Sequence, residues 1–368
     1  MSGHNYNILA ASKNSSEIPS TVSPGIDLYR ASFNDSELIY DWCHRSQSLS
    51  EILRDHQLPL VVKLCNDNTV KENEAPIDLQ QPLLLYKEVR GIKLHARSIT
   101  SRPASHDLNK TVYSPVGPDI TFADIYAGFF KDLDTKDHHL LTIADVTRVM
   151  PKSFLSSKEC DGFLSIQQLE GDLFQKTTLP LGLYRPRSVL EDTIAYTNKR
   201  KSHKKKLVRC LKCEDERGKH VLFPLEAKGI FYIAELNAAF VKTSLQVSQS
   251  CRIYKWTDFD VKKIKGMRVR LMHGSPPQQE CQFTGLMELS HVSDEHTVVV
   301  STMNSAPRLF EMAVTSEPFF TVALNTKDFE LSDQHQKSLK FARLESENYI
   351  GRAKVKRDYG IDEVVSQT

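Results

Sequence analysis

A proline inside an apolar, strand-like run constrains this chain more than any other feature. Residues 220–231 read HVLFPLEAKGIF. Proline has no N–H to give to a sheet ladder, so it is confined to strand edges, strand starts and bulges. A strand that stops at Pro224, makes a short excursion and resumes at Gly229 needs a bulge or an edge at the proline. It needs a glycine where another group comes close. Around it lie many short apolar runs divided by Gly, Pro and charged turns, among them residues 60–64, 251–256, 297–303, 308–314 and 319–324. In MRVRLM (267–272) the alternation is clean. This texture implies sandwich or barrel architecture. With the internal echoes and the family resemblance given below, the expectation is a mostly β chain of two tandem barrel-like half-units of short antiparallel strands, with short N-terminal helices and a charged C-terminal tail.

The divisions follow composition. Residues 1–30 are rich in Ser, Asn and Pro and read as disordered. Residues 31–57 form a helical lead-in: Asp35 or Ser36 can cap a turn carrying Leu38, Ile39 and Trp42, and Ser48 and Glu51 have capping-box spacing. The first half-unit is placed at 58–190, a basic linker at 191–206, the second half-unit at 207–330 and the tail at 331–368. Within the first half, 82–99 reads as a hairpin, 142–151 as a brief helix ended by Pro151, and 162–184 as two strands around Gly171-Asp172. HVSDEH (291–296) reads as a hairpin turn between LMELS and TVVVS.

Two internal echoes suggest duplication. Residues 60–64 (LVVKL) lie against 207–211 (LVRCL), and 121–130 (TFADIYAGFF) against 222–231 (LFPLEAKGIF). The second echo pairs Phe122 with Phe223, Gly128 with Gly229 and Phe130 with Phe231. Chance likeness between two β-rich stretches would leave the same trace.

The chain has 368 residues, 26% charged, with a formal net charge of +2. That balance argues against a nucleic-acid binder along its whole length, though not against a local basic patch. Seven cysteines, odd in number and widely spaced, follow a polar start without an apolar signal region. Free thiols in a reducing compartment, cytoplasmic with the nucleus left open, are the expectation. No apolar run approaches the length of a membrane span.

Val208-Arg209-Cys210, followed by Val221, Phe223, Pro224, Leu225, Gly229 and Phe231, resembles the signature of the CABIT domain, a cysteine-containing all-β module named from Themis. That signature is an apolar residue, any residue and Cys, then apolar-x-Leu-Pro-apolar, three residues, and Gly-x-Phe. Phe223 stands where the family usually has Leu. ILRDHQLPLVVKLC (52–65), with Leu58 and Pro59, is similar to the strand that opens the family's domain. GPDITFADIYAGFFKDL (117–133), with Phe122, Gly128 and Phe130, is similar to its first-half Gly-x-Phe strand, above all in the GAREM adaptors. CLKC before a charged turn resembles the GAREM version. The likeness spans roughly residues 50–330 as a single CABIT unit.

The resemblance implies a non-enzymatic intracellular adaptor downstream of tyrosine-kinase-linked receptors. Its partners would be Src-homology adaptors and tyrosine phosphatases that feed Ras–MAP kinase signalling. It implies no cofactor. This chain lacks a long Pro-rich segment, and SPPQQ (275–279) is too short for a polyproline ligand.

Cys210 and Cys213 form a lone Cys-x-x-Cys, whereas a structural zinc needs four ligands. His220, the His138-His139 pair and the cluster of His291, Asp294 and Glu295 do not complete a set, so no metal is expected. A Cys210-dependent phosphatase or redox enzyme would need a base to activate the thiol. Lys199, Arg200, Lys201, Lys204, Lys205 and Lys206 could form an import signal or an anion-binding patch. That patch is the basis of an alternative reading, a nuclear or nucleic-acid-associated β-barrel protein. No aromatics are interleaved there, which disfavours base stacking. Tyr349 and Tyr359 have acidic neighbours in the tail and are candidate phosphorylation sites.

Overall fold

The computed structural model describes residues 40–65, 81–104, 111–167, 173–197, 203–237, 250–278, 281–315, 318–330, 332–356 and 365–366. The expected disordered start and the caps at Asp35 and Ser36 lie outside the described residues. The first stretch of chain supplies β1 (Gln47–Ser48), helix α1 (Leu49–Asp55), β2 (Leu60–Leu64), β3 (Leu83–Pro103), β4 (Thr111–Ala123) and β5 (Phe129–Asp132). The middle supplies β6 (Leu140–Thr142), helix α2 (Ile143–Val149), β7 (Ser153–Ser156), β8 (Cys160–Gln167), β9 (Leu173–Leu179), β10 (Gly182–Thr197), β11 (His203–Glu214), β12 (His220–Pro224) and β13 (Lys228–Glu235). The last stretch supplies β14 (Arg268–His273), β15 (Leu286–Thr302), β16 (Arg308–Ala313), β17 (Phe319–Val322), a C-terminal helix (Asp333–Ile350), β18 (Ala353–Val355) and β19 (Val365–Ser366).

The chain is mostly β and forms two sheets, with few short helices. Their division differs from the expected boundaries at 58–190 and 207–330. The first and last stretches share one sheet, and the middle stretch forms the other by itself. The second unit is therefore inserted within the first rather than following it. Residues 191–206 are no linker. Tyr196 lies opposite Lys204, Ile194 opposite Lys206 and Leu190 opposite Cys210, so the described residues of this stretch are strand, in the antiparallel pair β10–β11. Residues 198–202, between the two strands in sequence, are outside the described residues.

The first sheet is organised by a ribbon of β3 and β15, paired antiparallel from Leu83 opposite Thr302 to Ser98 opposite Met287. β2 and β16 flank one end, and β4 and β14 flank the other. Each end covers its own core. One holds Leu49, Ile52, Val62, Leu85, Val300, Phe310 and Phe320. The other holds Leu94, Ile120, Phe122, Phe130, Trp256, Val269 and Met287. At about 1.5–3 kcal/mol for each fully buried large apolar side chain, these clusters supply the main favourable term for each end.

The two hairpin turns expected at 82–99 and 291–296 are absent, and the residues meant to form them face each other. Gly91 lies opposite Glu295 and Ile92 opposite Asp294 in the middle of the ribbon. There the ribbon passes from one core to the next and neither strand holds a long apolar face. The alternation lapses, and the sequence mimics a turn.

In the second sheet β10, β11, β12, β8 and β9 close a ring of five strands, with β9 and β10 parallel where they meet at Ala195 and Leu173. β7, β13 and β6 extend from β10. Phe154, Tyr184, Leu211, Phe223 and Phe231 fill its core.

A duplication is present, in a different alignment from the echoes. The order β1–β17–β2–β3–β15–β16 is matched by β6–β13–β7–β10–β11–β12. Each copy opens with a short strand leading into a seven-residue helix with a capping box, Ser48 with Glu51 and Thr142 with Asp145. Phe310 opposite Val300 corresponds to Phe223 opposite Leu211. Phe320 opposite Leu64 corresponds to Phe231 opposite Ser156. The counterparts of Phe223 and Phe231 are thus Phe310 and Phe320, not Phe122 and Phe130. β2 corresponds to β7, not to β11. Phe122 and Phe130 belong to the far end of the ribbon, opposite Leu94 and Leu271. Their likeness to 222–231 is local: both stretches are strand–turn–strand with a glycine packed under an aromatic ring.

Candidate functional site

The signature residues build one turn. Cys210 lies opposite Pro224 at the end of the β11–β12 ladder. Leu225 N–H then donates to the Arg209 carbonyl at 3.0 Å, so the missing donor of Pro224 costs only one rung. The carbonyls of Leu225 and Ala227 accept from Ala144 N–H at 2.9 Å and Ile143 N–H at 3.1 Å. Those are the first two N–H groups of α2, which nothing inside the helix can satisfy. Thr142 Oγ1 accepts the third, from Asp145 N–H at 3.2 Å. The stretch between Pro224 and Gly229 is thus the N-terminal socket of α2. At Gly229 an added Cβ would stand 2.5 Å from Cζ of Phe231. The Phe231 ring folds back over the glycine and meets Phe154 edge-on at 5.9 Å. At Gly128 the ring that a Cβ would strike belongs to Tyr126.

Beside this turn lies a cleft of about 500 Å³. Cys160, Gly162, Val208 and Pro224 line its wall, and Lys176, Lys206, Lys228, Glu159, Asp161 and Glu226 line its rim. Thiol chemistry is suppressed both at Cys160 in the cleft and at Cys210 and Cys213 behind it in the core. Burial, helped by the neighbouring Glu226 and opposed by Lys206, pushes the Cys210 thiol up to about 12. Burial and Asp161 push Cys160 up to about 11. Burial also raises Cys213 well above the ordinary thiol range. Cys210 and Cys213 are both fully buried. A nucleophilic cysteine has a lowered pKa and partial exposure, and these have neither. Among the described residues no group of three or more His, Cys, Asp or Glu side chains could hold a metal.

The described part of the basic stretch, from His203 on, is strand rather than loop. Lys204, Lys205 and Lys206 are exposed on β11, with Lys204 and Lys206 on one face and Lys205 on the other. Lys199, Arg200 and Lys201 lie outside the described residues, as does Tyr359. Tyr349 is not a tail residue open to a kinase. It is 1% exposed at the end of the C-terminal helix, packed with Val299, Leu309 and Phe341. Lys354 Nζ lies 4.3 Å from its ring centroid. Leu58 and Pro59 join by a cis peptide just before β2.

A cluster of buried charges that includes Glu295 ties the ribbon to the C-terminal elements. Glu311 on β16 accepts Lys93 of β3 on one oxygen at 2.6 Å and faces Lys354 of β18 on the other at 2.9 Å. Lys93 also reaches Glu295 at 3.0 Å. Burial works to raise the Glu311 carboxyl, but Lys354 and Lys93 overcome it and hold the group below its ordinary range. Glu295 shows the same balance: burial raises it, while His95 and Lys93 bring it down to about 2. His95 Nε2 sits 2.7 Å from Ser293 Oγ and 3.2 Å from Glu295 Oε1, and its ring stacks on His291 at 4.2 Å. Serine and carboxylate meet the same imidazole nitrogen, so this is not a hydrolytic relay, which needs one partner on each nitrogen. In the sequence His291 and Glu295 stand out as a possible ligand set, while Lys93 and His95 alternate with Ile92, Leu94 and Ala96. That alternation normally marks a solvent face.

No helix among the described residues is long and apolar enough to cross a membrane. The CABIT family model, described as "Cell-cycle sustaining, positive selection", matches residues 58–339. No curated protein and no solved structure matches the chain. The family match covers most of the sequence and contains both the signature turn and the ribbon, and the chain belongs to the CABIT family.

Proposed function

We propose that this chain is a non-enzymatic intracellular signalling adaptor or regulator acting downstream of tyrosine-kinase-linked receptors that feed Ras–MAP kinase signalling. The CABIT match over 58–339 carries this reading. The state of the signature residues supports it. Cys210, Pro224, Gly229 and Phe231 form a ladder end, a helix socket and a core, and the thiols are held protonated. Binding then falls to the surface of the β scaffold. The partner classes are Src-homology adaptors and tyrosine phosphatases, met in the cytoplasm.

Affinity capture from stimulated cells, read by mass spectrometry, tests it with the full chain and its Tyr359→Phe variant. Src-homology adaptors or tyrosine phosphatases are expected with the wild type. Their loss in the variant would put docking in the C-terminal segment, and their persistence would put it on the β scaffold. Recovery of nucleic-acid-associated or import proteins alone would sink this reading. The exposure of Lys204, Lys205 and Lys206 favours a second one, anion binding along the β11 arm. Steeply salt-dependent nucleic-acid binding, lost on neutralising these lysines, is its test.

A further inference from the structure

Corresponding faces of the two barrel copies are covered differently. Cys210 opposite Pro224 corresponds to Val299 opposite Glu311, each pair one rung from the matching Phe223 and Phe310. In the first copy Val299 and Leu309 on this face pack under Phe341 and Tyr349 of the C-terminal helix. Lys354 of β18 enters there and meets Glu311 at 2.9 Å. In the second copy Cys210, Val208 and Leu222 pack against Phe163 of β8. The β8–β12 pairing ends at Phe163 opposite Leu222. Beyond that rung the cleft of about 500 Å³ opens between the start of β8 and the turn after Pro224. It lies at the position where the first copy takes up a lysine.

We propose that this cleft docks an extended segment of a partner protein, which inserts one lysine or arginine side chain between Asp161 and Glu226. Asp161 lines the β8 side of the cleft and Glu226 the side after Pro224. Both are exposed, and among the described residues neither makes an ion pair. The inner wall is negative. After burial itself, the main influence on the Cys210 thiol is Glu226, ahead of Lys206, and on Cys160 it is Asp161. Val208 and Phe163 are buried and Pro224 is half-buried, a surface that suits the aliphatic stem of a basic side chain whose head stays polar. The volume falls in the range of pockets that enclose a ligand, roughly 300–1,000 Å³. Lys176, Lys206 and Lys228 stand on the rim. They repel a run of basic residues and favour acidic ones beside the inserted side chain. The Glu226 wall is set before binding, because the carbonyls of Leu225 and Ala227 on either side of it are held by the first N–H groups of α2. A wall already in place lowers the ordering cost of docking.

This proposal deepens the reading of the chain as a binding module and rests on it. Its test is isothermal titration of the full chain with an amidated peptide, AEAKAEA, and with versions carrying glutamine or glutamate in place of the lysine. The lysine peptide is expected to bind about tenfold more tightly than the glutamine one, and the glutamate one most weakly. The double variant Asp161→Asn, Glu226→Gln should lose that preference. Thr178→Trp, which fills the cleft and leaves its charges, should lose binding. Preference for the glutamate peptide, equal binding of all three, no saturable binding of the lysine peptide, or wild-type binding by the double variant would each overturn the site. Asp161 and Glu226 are exposed, so the double variant is expected to melt like the wild type; should Thr178→Trp unfold the chain, the double variant decides alone. The titration involves no signalling protein, so its failure is distinct from failure of the capture experiment.

Discussion

Lys93 Nζ lies 2.6 Å from Glu311 Oε2, with side chains 5% and 1% exposed, and this contact locks β3 to β16 inside the protein. Charges removed from water repay little as a pair, but removing one partner leaves the other uncompensated. Lys93→Met is therefore expected to destabilise the chain by about 3–5 kcal/mol in urea denaturation. Lys93→Met combined with Glu311→Gln should cost clearly less than the sum of the single changes. Strict additivity would show that the two groups are not coupled.

The same cluster sets the acid limit. Glu295 has a folded pKa of about 2 against an ordinary value near 4.5. A carboxylate depressed on folding contributes stability that is complete above the unfolded value and is lost as pH falls through the folded one. Glu311 is shifted in the same direction. The melting temperature should fall between about pH 5 and pH 2 by this linkage. Glu295→Gln should flatten part of that slope and start from a lower melting temperature at neutral pH. A wild-type melt that does not change across this window would contradict the assigned protonation.

What was legible in the sequence was local. The capping box at Ser48, the brief helix from 142 and the Pro224–Gly229 turn are each written within about ten residues, and those elements stand where the pattern puts them; the apolar run at 251–256, also read as a strand, instead makes isolated bridges and a 3-10 turn at Trp256. The order in which strands pair is set by contacts far apart in sequence. The β3–β15 ribbon joins residues near 90 to residues near 295, and no local pattern marks such a partner. Where the ribbon crosses between its two cores, lost alternation imitated turns at both 90 and 294. The duplication was visible as an echo but was aligned on similar glycine turns, because Phe310 and Phe320 lack that glycine. Tyr349 and the lysines at 93 and 354 looked solvent-facing because what covers them comes from distant chain.

Gly229 answers to Phe231. A Cβ there would stand 2.5 Å from the ring, so either the ring or the turn must move. Gly229→Ala is expected to cost about 1–3 kcal/mol, the range for overpacking. Gly91→Ala is the control. It also lies in extended backbone, but its nearest neighbour would be an Asp124 carboxyl oxygen at 3.6 Å, an ordinary contact. That variant should match or slightly exceed the wild type in stability. Equal losses at both positions would mean that the ring packing is not what requires glycine.

The cysteines should separate by reactivity. Cys160, Cys210, Cys213 and Cys251 are buried, while Cys43, Cys65 and Cys281 are partly exposed. Burial raises the first four toward the neutral thiol. A thiol-specific reagent at neutral pH should label the exposed set on mixing and the buried set only as fast as the chain unfolds. Rapid labelling of Cys210 in the native state would reopen the cysteine-enzyme reading.

Phe231 and Phe320 occupy matching places in the two copies of the barrel, and both are fully buried. If the copies are separate cores within one cooperative unit, truncating either ring leaves a cavity and costs about 3–5 kcal/mol. The two changes would add in the double variant, because the rings belong to different clusters and share no contact. Hydrogen exchange gives the finer readout. Phe231→Ala should raise exchange chiefly in the strands from 140 to 235, and Phe320→Ala chiefly in β1, β2, β16 and β17. A uniform rise throughout the chain with either change would mean that the two barrels open only together, and a silent Phe231→Ala would show that the signature phenylalanine is not a core residue.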